Sequence, residues 1–172
     1  SGMLALSRST ENWFTNLWIG TKSPNFRTDL GFTTENNWKA NNLRHEYRFR
    51  SNGLIRSGEI GISAKLINNY EDVLLQQEYE LNGEINLSNQ FEFRGGYKNN
   101  KKLFFEGNSF SNLTNINFST TYSPSGNFYI RAGVNDGKSI ARRIAKPVVG
   151  DSFNYNISSR YQFTNEFNVR IQ

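Results

Sequence analysis

The sequence contains no cysteine and a single histidine, His45. The lack of cysteine excludes disulfides, thiolate metal sites and a cysteine nucleophile, and one imidazole excludes a histidine-rich zinc site. No run of residues approaches the ~18 consecutive apolar positions of a transmembrane helix. Proline occurs only 3 times, whereas aromatic residues make up 15% of the chain, too many for a disordered segment. We therefore expect an ordered domain with no membrane helix, metal ion or cofactor.

Asparagine and charged residues of both signs are abundant instead. The 172 residues include 25 Asn, 20 Lys+Arg and 15 Asp+Glu, which gives a net charge of +5. Because the two signs are interleaved along the chain, the basic balance does not predict nucleic-acid binding. The length predicts one domain, residues 1–172. Ser1 and Gly2 ahead of Met3 are typical of residues left over from cloning, and no signal peptide follows.

Apolar and polar residues alternate along most of the chain. In residues 43–50, for example, Leu43, His45, Tyr47 and Phe49 alternate with arginine and glutamate. The same period of two recurs in residues 59–66, 73–87, 91–98, 116–122, 128–134, 153–163 and 167–171. A period of two over so many segments predicts β-strands with one apolar and one polar face.

Between these segments, short turn clusters alternate with longer polar connections. The short clusters are centred near residues 52, 89, 125 and 165, and the longer connections span about 20–37, 68–72, 99–111 and 135–151. This rhythm predicts an all-β fold, an antiparallel up-and-down meander of about 8–10 strands. One end would carry tight turns and the other would carry the variable loops.

The predicted apolar face has aromatic residues near the short turns and aliphatic residues in mid-strand. Such banding is typical of a lipid-facing barrel surface, because aromatic rings favour the membrane interface and aliphatic chains favour hydrocarbon. The expected strands of about 11–15 residues are also longer than those of ordinary sheets. Alternation alone fits a soluble barrel equally well, since its apolar face would point inward. The banding and the loop asymmetry favour a transmembrane β-barrel or a large fragment of one.

Parity along the strands then assigns candidate residues to the two surfaces. The candidates for lining the lumen are charged: Arg44, Glu46, Arg48, Glu59, Lys65, Glu78, Glu80, Glu84, Glu92, Arg94, Arg131 and Arg160. The candidates for the lipid interface are aromatic: Tyr47, Phe49, Phe91, Phe93, Tyr122, Phe128, Tyr161, Phe163 and Phe167. Mixed charge on the first set suits a wetted interior.

The most distinctive stretch is Lys22–Phe32, KSPNFRTDLGF, between two predicted strands. It resembles the S-P-x-F-R-x-D-x-G-F connection in a family of Gram-negative outer-membrane β-barrels. In that family the barrel is C-terminal, follows a family-9 carbohydrate-binding-like domain and has no assigned function. This sequence lacks that domain, and it has a polar segment, residues 33–37, where the family often continues Phe-x-Arg-x-Asp. The resemblance implies a barrel taken from a longer chain and implies no catalytic residue.

Two groups of residues permit an enzymatic interpretation. Glu78, Glu80 and Glu84 share one face of one strand, and residues two apart lie about 6.5 Å apart, within the range of paired carboxylates in glycoside hydrolysis. The alternative is that they pair with lumen cations. His45 has the parity of the apolar face, which predicts a packed histidine rather than a catalytic base. We therefore expect no enzymatic activity.

The longer connections and the tryptophans suggest contacts outside the barrel. The segment 138–146 is basic, and Lys138, Arg142, Arg143 and Lys146 are candidates for meeting lipopolysaccharide or an acidic glycan. An ordinary solvated loop is the alternative. Trp13, Trp18 and Trp38 are expected at the membrane interface rather than stacked on sugars.

The sequence as a whole predicts a protein of the cell outer membrane. It would act as a conduit, or as the membrane anchor for a glycan-binding partner domain, with the lipid bilayer and other outer-membrane proteins as its partners. Two alternatives remain open. One is a soluble β-barrel that binds a small apolar ligand, and the other is an outer-membrane hydrolase that uses the lumen carboxylates.

Overall fold

The computed structural model describes residues 1–25, 36–141, 146–163 and 168–171. This part of the chain is built almost entirely of β-structure and contains ten strands. The strands are β1 Gly2–Ser9, β2 Trp13–Lys22, β3 Trp38–Arg50, β4 Ile55–Asn68, β5 Leu74–Leu87, β6 Phe91–Phe105, β7 Asn108–Ser125, β8 Phe128–Ala141, β9 Val148–Gln162 and β10 Asn168–Ile171. The sequence prediction of an all-β fold is confirmed.

The strands form a single sheet in chain order, from β1 to β10, and each strand pairs antiparallel with the next. This is the predicted up-and-down meander. The sheet is open, because no pairing joins β1 to β10 among the described residues. The first strand, β1, has eight residues.

Tight turns connect the described strands at one end of the sheet, which we call the short-turn end. The turns lie between β1 and β2, β3 and β4, β5 and β6, and β7 and β8. The predicted clusters near residues 52, 89 and 125 are confirmed at this end. The cluster near residue 165 lies outside the described residues.

Two of the four predicted long connections are wrong. Residues 99–111 form no loop, because β6 continues to Phe105 and β7 begins at Asn108. Glu106 (φ 46°) and Gly107 (φ 77°) close this hairpin with positive φ values, as a two-residue type I′ turn requires. Likewise β8 extends to Ala141 and β9 begins at Val148, so most of 135–151 is strand. Backbone pairing continues through these polar residues because ladder hydrogen bonds do not need apolar side chains.

An ordinary apolar core is missing from the described residues. The buried apolar side chains there are Ala40 (3% exposed) and Leu113 (5%), both on the face that carries the charges. The one fully buried large side chain in this part of the chain is a carboxylate, Glu46. The arrangement is the reverse of a soluble sheet, whose apolar face is covered.

Candidate functional site: the polar face of the sheet

The register of the strands brings all twelve predicted lumen candidates onto one face, which we call the polar face. Arg48 on β3 lies opposite Glu59 on β4, Glu59 lies opposite Glu84 on β5, and Glu84 lies opposite Arg94 on β6. Arg131 on β8 and Arg160 on β9 have the same parity. Sequence parity alone was sufficient to assign this face, because successive side chains on a strand point to opposite sides.

Glu46 is the centre of an ion-pair network on β3 and β4. Its carboxylate is fully buried and binds Arg44 on one side, while Nη2 of Arg48 approaches Oε2 at 2.5 Å on the other. Arg48 also donates from Nε to Glu59 at 2.9 Å. Gly61 lies opposite Glu46, and a Cβ there would come within 3.2 Å of the glutamate Cγ. Because Gly61 has no side chain, the buried side chain of Glu46 has room beside it.

A second set of ion pairs joins β5 to β6. Nε of Arg94 lies 2.8 Å from Glu84 and 3.0 Å from Glu92, and Nζ of Lys98 lies 2.9 Å from Glu78. Two of these pairs, Arg94–Glu84 and Lys98–Glu78, connect the neighbouring strands β5 and β6 on the polar face. A cleft of about 520 Å³ at the short-turn end is lined in part by Arg48, Glu59 and Glu84.

These contacts bear on the hydrolase interpretation of β5. Glu78 and Glu84 are engaged by Lys98 and Arg94, and Glu84 also accepts a hydrogen bond of 2.8 Å from Asn86. Glu80 lies opposite Lys98 but makes no ion pair among the described residues. Two of the three candidate carboxylates, Glu78 and Glu84, thus take part in ion pairs between β5 and β6.

The opposite face, which we call the apolar face, is exposed. Its mid-strand isoleucines are more than half accessible: Ile60 54%, Ile62 55%, Ile116 57% and Ile157 62%. Leu43, Leu81, Tyr97 and Phe118 on the same face are exposed as well. The exposed apolar surface therefore extends across the sheet from β3 to β9.

The predicted interface aromatics lie on the apolar face near the short-turn end, where their rings contact one another. Ring centroids are 4.4 Å apart for Phe91 and Tyr122, 6.0 Å for Phe91 and Phe93, and 6.3 Å for both Tyr47–Phe49 and Phe128–Tyr161. Phe163 contacts Tyr161 edge-on at 4.5 Å, just beyond the end of β9. Phe167 lies outside the described residues. The rest of the set forms a band, which we call the aromatic belt.

His45 and Trp13 also belong to this belt, although neither is among the interface candidates named from the sequence. The His45 ring stacks on Trp13 at 5.1 Å, and its Nδ1 lies 2.8 Å from the hydroxyl of Thr15. The prediction of a packed histidine on the apolar face is confirmed. Trp13 also contacts Tyr47, with 4.6 Å between ring centroids.

Trp18 and Trp38 are not on the apolar face, so the prediction of an interfacial position is wrong for them. They lie on the polar face at the end opposite the short turns, with ring centroids 6.1 Å apart. The Trp18 ring covers Gly20, where a Cβ would be only 2.6 Å from it. The cause is visible in β2, which has large apolar residues of both parities, so alternation there does not separate the faces.

The first four residues of the predicted basic loop, 138–141, are strand, because β8 continues to Ala141. Lys138 lies within β8 opposite Asp151 on β9, and not in a loop as predicted. Lys146 is exposed just before β9. Arg142 and Arg143 lie outside the described residues, as does most of the distinctive segment Lys22–Phe32. Of the four predicted basic residues the structure therefore describes Lys138 and Lys146.

The described residues contain no group of three or more His, Asp or Glu side chains arranged to hold a metal ion. They also contain no helix of the length and apolarity needed to cross a membrane. No protein-family model, curated protein or solved structure matches this chain.

Proposed function

We propose that this chain forms the wall of an outer-membrane β-barrel, with the apolar face against lipid and the polar face lining a water-filled passage for small solutes. The observation that carries the proposal is the inverted polarity of the sheet. The face with isoleucines more than half exposed is the outside, while the fully buried large side chain is Glu46.

The energetics favour a lipid environment for the apolar face. Complete burial of one isoleucine side chain contributes about 1.5–3 kcal/mol. Since Ile60, Ile62, Ile116 and Ile157 are each more than half exposed, transfer to hydrocarbon contributes about 1 kcal/mol per side chain. These four residues together then supply about 4 kcal/mol, comparable to the whole stability of a small domain. A monomeric water-soluble sheet rarely leaves such a continuous apolar surface uncovered.

Strand length and the aromatic belt support the same assignment. A tilted membrane strand needs about 9–11 residues, and β3 to β9 have 13 to 18 residues. The belt near the short turns matches the interfacial girdle of a barrel, where aromatic rings are favoured. The extended β6–β7 and β8–β9 hairpins would then project from the opposite side of the membrane. The resemblance of the sequence to a Gram-negative barrel family agrees with a barrel fold.

An open sheet cannot remain open in hydrocarbon, because unpaired backbone groups are costly there. With ten strands in an antiparallel meander, β1 and β10 run antiparallel to each other, so their pairing would close an even-stranded barrel. The proposal therefore includes closure of the two edges, within one chain or with further strands. Without conduction, the same sheet would serve as a membrane anchor for a glycan-binding partner domain.

The first experiment compares the purified chain with and without detergent by size-exclusion chromatography and far-UV circular dichroism. The proposal expects a β-rich, monodisperse species only in detergent. A folded monomer without detergent would overturn it and favour the soluble ligand-binding barrel, although the charged polar face offers that alternative no apolar interior.

Planar-bilayer conductance then tests the passage itself. We expect ion conductance, and Glu80→Lys on the polar face should shift ion selectivity toward anions. Asp151→Lys makes the same change of charge at a residue with the parity of the apolar face, so its selectivity should stay near that of the unmodified chain. Detergent-dependent folding without conductance would favour the anchor role.

A further inference from the structure

The polar face is divided into two electrostatically different halves. On β3 to β6 the polar face carries carboxylates, and four of its cations are paired with them: Arg44, Arg48, Arg94 and Lys98. On β7 to β9 the polar face is mostly neutral, with Asn117, Asn135, Asn154, Asn156 and Ser119. Several of the many asparagines in the sequence thus line one half of the polar face.

Three arginines lie within this neutral half, toward the short-turn end: Arg131 on β8, Arg160 on β9 and Arg170 on β10. We call them the arginine cluster. Arg160 is directly opposite Arg170, which places their Cβ atoms roughly 4.5–5.5 Å apart. Arg131 is opposite Ser158, two residues before Arg160, so it is a diagonal neighbour at roughly 7–8 Å.

The arginine cluster has no carboxylate partner among the described residues. Asp136 on β8 and Asp151 on β9 have the parity of the apolar face. Glu92 is the polar-face carboxylate that shares a register row with Arg131, but Thr121 on β7 lies between them. That separation is two strand spacings, about 9–10 Å. Moreover, Glu92 is already paired with Arg94 at 3.0 Å.

Like charges directly opposite each other destabilise a pair of strands. A bound anion removes that repulsion, and arginine is the side chain best suited to bind phosphate or carboxylate with two parallel hydrogen bonds. Tyr129 is directly opposite Arg160 on the same face and contributes a hydroxyl donor. Arg160 is oriented by a hydrogen bond of 3.3 Å from its Nη2 to Oε1 of Gln162.

We infer that Arg131, Arg160 and Arg170 form a binding site for an oxyanion, such as phosphate or a phosphorylated small solute, on the inner wall of the barrel. The site deepens the proposed function, because it makes the passage selective for anionic solutes. Its role in transport rests on that proposal. Binding of the anion does not, since it requires only that the sheet be folded.

The test uses the chain folded in detergent micelles and inorganic phosphate as the probe, at low ionic strength, with isothermal titration calorimetry. We expect saturable binding by the unmodified chain, and Arg160→Gln should weaken it about tenfold or more, the loss expected for charge-assisted hydrogen bonds. Arg160→Lys should also weaken binding, because an ammonium cannot form the bidentate contact.

Arg50→Gln is the matched control. Arg50 lies on the polar face of β3 in the same register row as Arg131, through Ser57, Asn86, Glu92 and Thr121, but it is far from the cluster. Its phosphate affinity should stay within about twofold of the unmodified chain, since one exposed charge removed at that range is screened. Far-UV circular dichroism would verify that each variant is folded.

Three results would overturn the inference: absence of saturable phosphate binding, equal binding by folded Arg160→Gln, or an equal loss in Arg50→Gln, which would indicate only the general positive charge. Failure of the proposed function looks different. A chain that binds phosphate but stays monodisperse without detergent retains the oxyanion site and loses the membrane role. A conducting barrel that binds no phosphate retains the membrane role and loses the site.

Discussion

Replacement of the buried glutamate tests whether the polar face holds the sheet together. Glu46 is fully buried between Arg44 and Arg48. Glu46→Gln keeps the shape of the side chain, but the amide offers one acceptor oxygen where the carboxylate offered two, so one of the two arginines loses its acceptor and faces an NH2 donor. A hydrogen bond to a charged group contributes about 1.5–3 kcal/mol, so the lost contact costs about 2 kcal/mol.

The expected loss in the free energy of unfolding is therefore about 2 kcal/mol. It does not reach the 3–5 kcal/mol of a broken, fully buried pair, because both arginines are about half exposed and Arg48 keeps its contact with Glu59. The assay is urea unfolding of the detergent-folded chain, followed by tryptophan fluorescence. Trp18 and Trp38 lie on the same face as Glu46 and report on it.

Glu80→Gln is the matched control on the same face. Glu80 is exposed and makes no ion pair among the described residues, so its removal should change stability by no more than about 0.5 kcal/mol. Equal unfolding midpoints for the two variants, with unchanged slopes, would refute the reasoning. The buried network would then contribute no more than an exposed charge.

Three further substitutions test the surfaces and turns. Ile62→Arg on the apolar face should make the free energy of folding into lipid vesicles less favourable by about 2–4 kcal/mol, the cost of arginine near the bilayer midplane. Ser63→Arg on the polar face should change that free energy little. Similar folding yields for the two variants would contradict the assignment of the faces. Gly107→Ala should lower the melting temperature through a cost of about 1 kcal/mol, because Gly107 has φ 77°, and an unchanged melting temperature would argue against the type I′ turn. Gly58→Ala should destabilise the chain because an added Cβ overlaps the ring of Phe49, and the loss in unfolding free energy should shrink when Phe49 is replaced by leucine; an equal loss in both backgrounds would exclude that contact.

Much of the sheet was predictable because its side chains follow one rule. In the middle of β3 to β6 most residues of one parity are apolar, so parity alone separates the Glu46 face from the Ile62 face there. The ion pairs were not predictable residue by residue, since they depend on register. Arg94, for instance, contacts Glu84 only because β5 and β6 pair at that position.

The errors occurred where side-chain chemistry and backbone geometry disagree. Residues 99–102 are polar, which predicted a loop, yet Asn99, Asn100 and Lys102 pair with β5 and β7, and Lys101 is the extra residue of a bulge opposite Gln77 and Glu78. Projecting strands need no apolar face, so hydropathy cannot locate their ends. Trp18 was misplaced because β2 is apolar on both faces. The arginine cluster was missed since Arg170 meets Arg160 only through the β9–β10 pairing.

The central claim is that the apolar face contacts lipid and the polar face contacts water. The absence of cysteine from the sequence allows a direct measurement with single cysteines on β4, labelled with an environment-sensitive fluorophore after the chain is folded into vesicles. The account predicts that labels at residues 60 and 62 are quenched by doxyl lipids, and that labels at 59 and 63 are quenched by aqueous iodide. The opposite pattern, or no alternation between neighbouring positions, would contradict it.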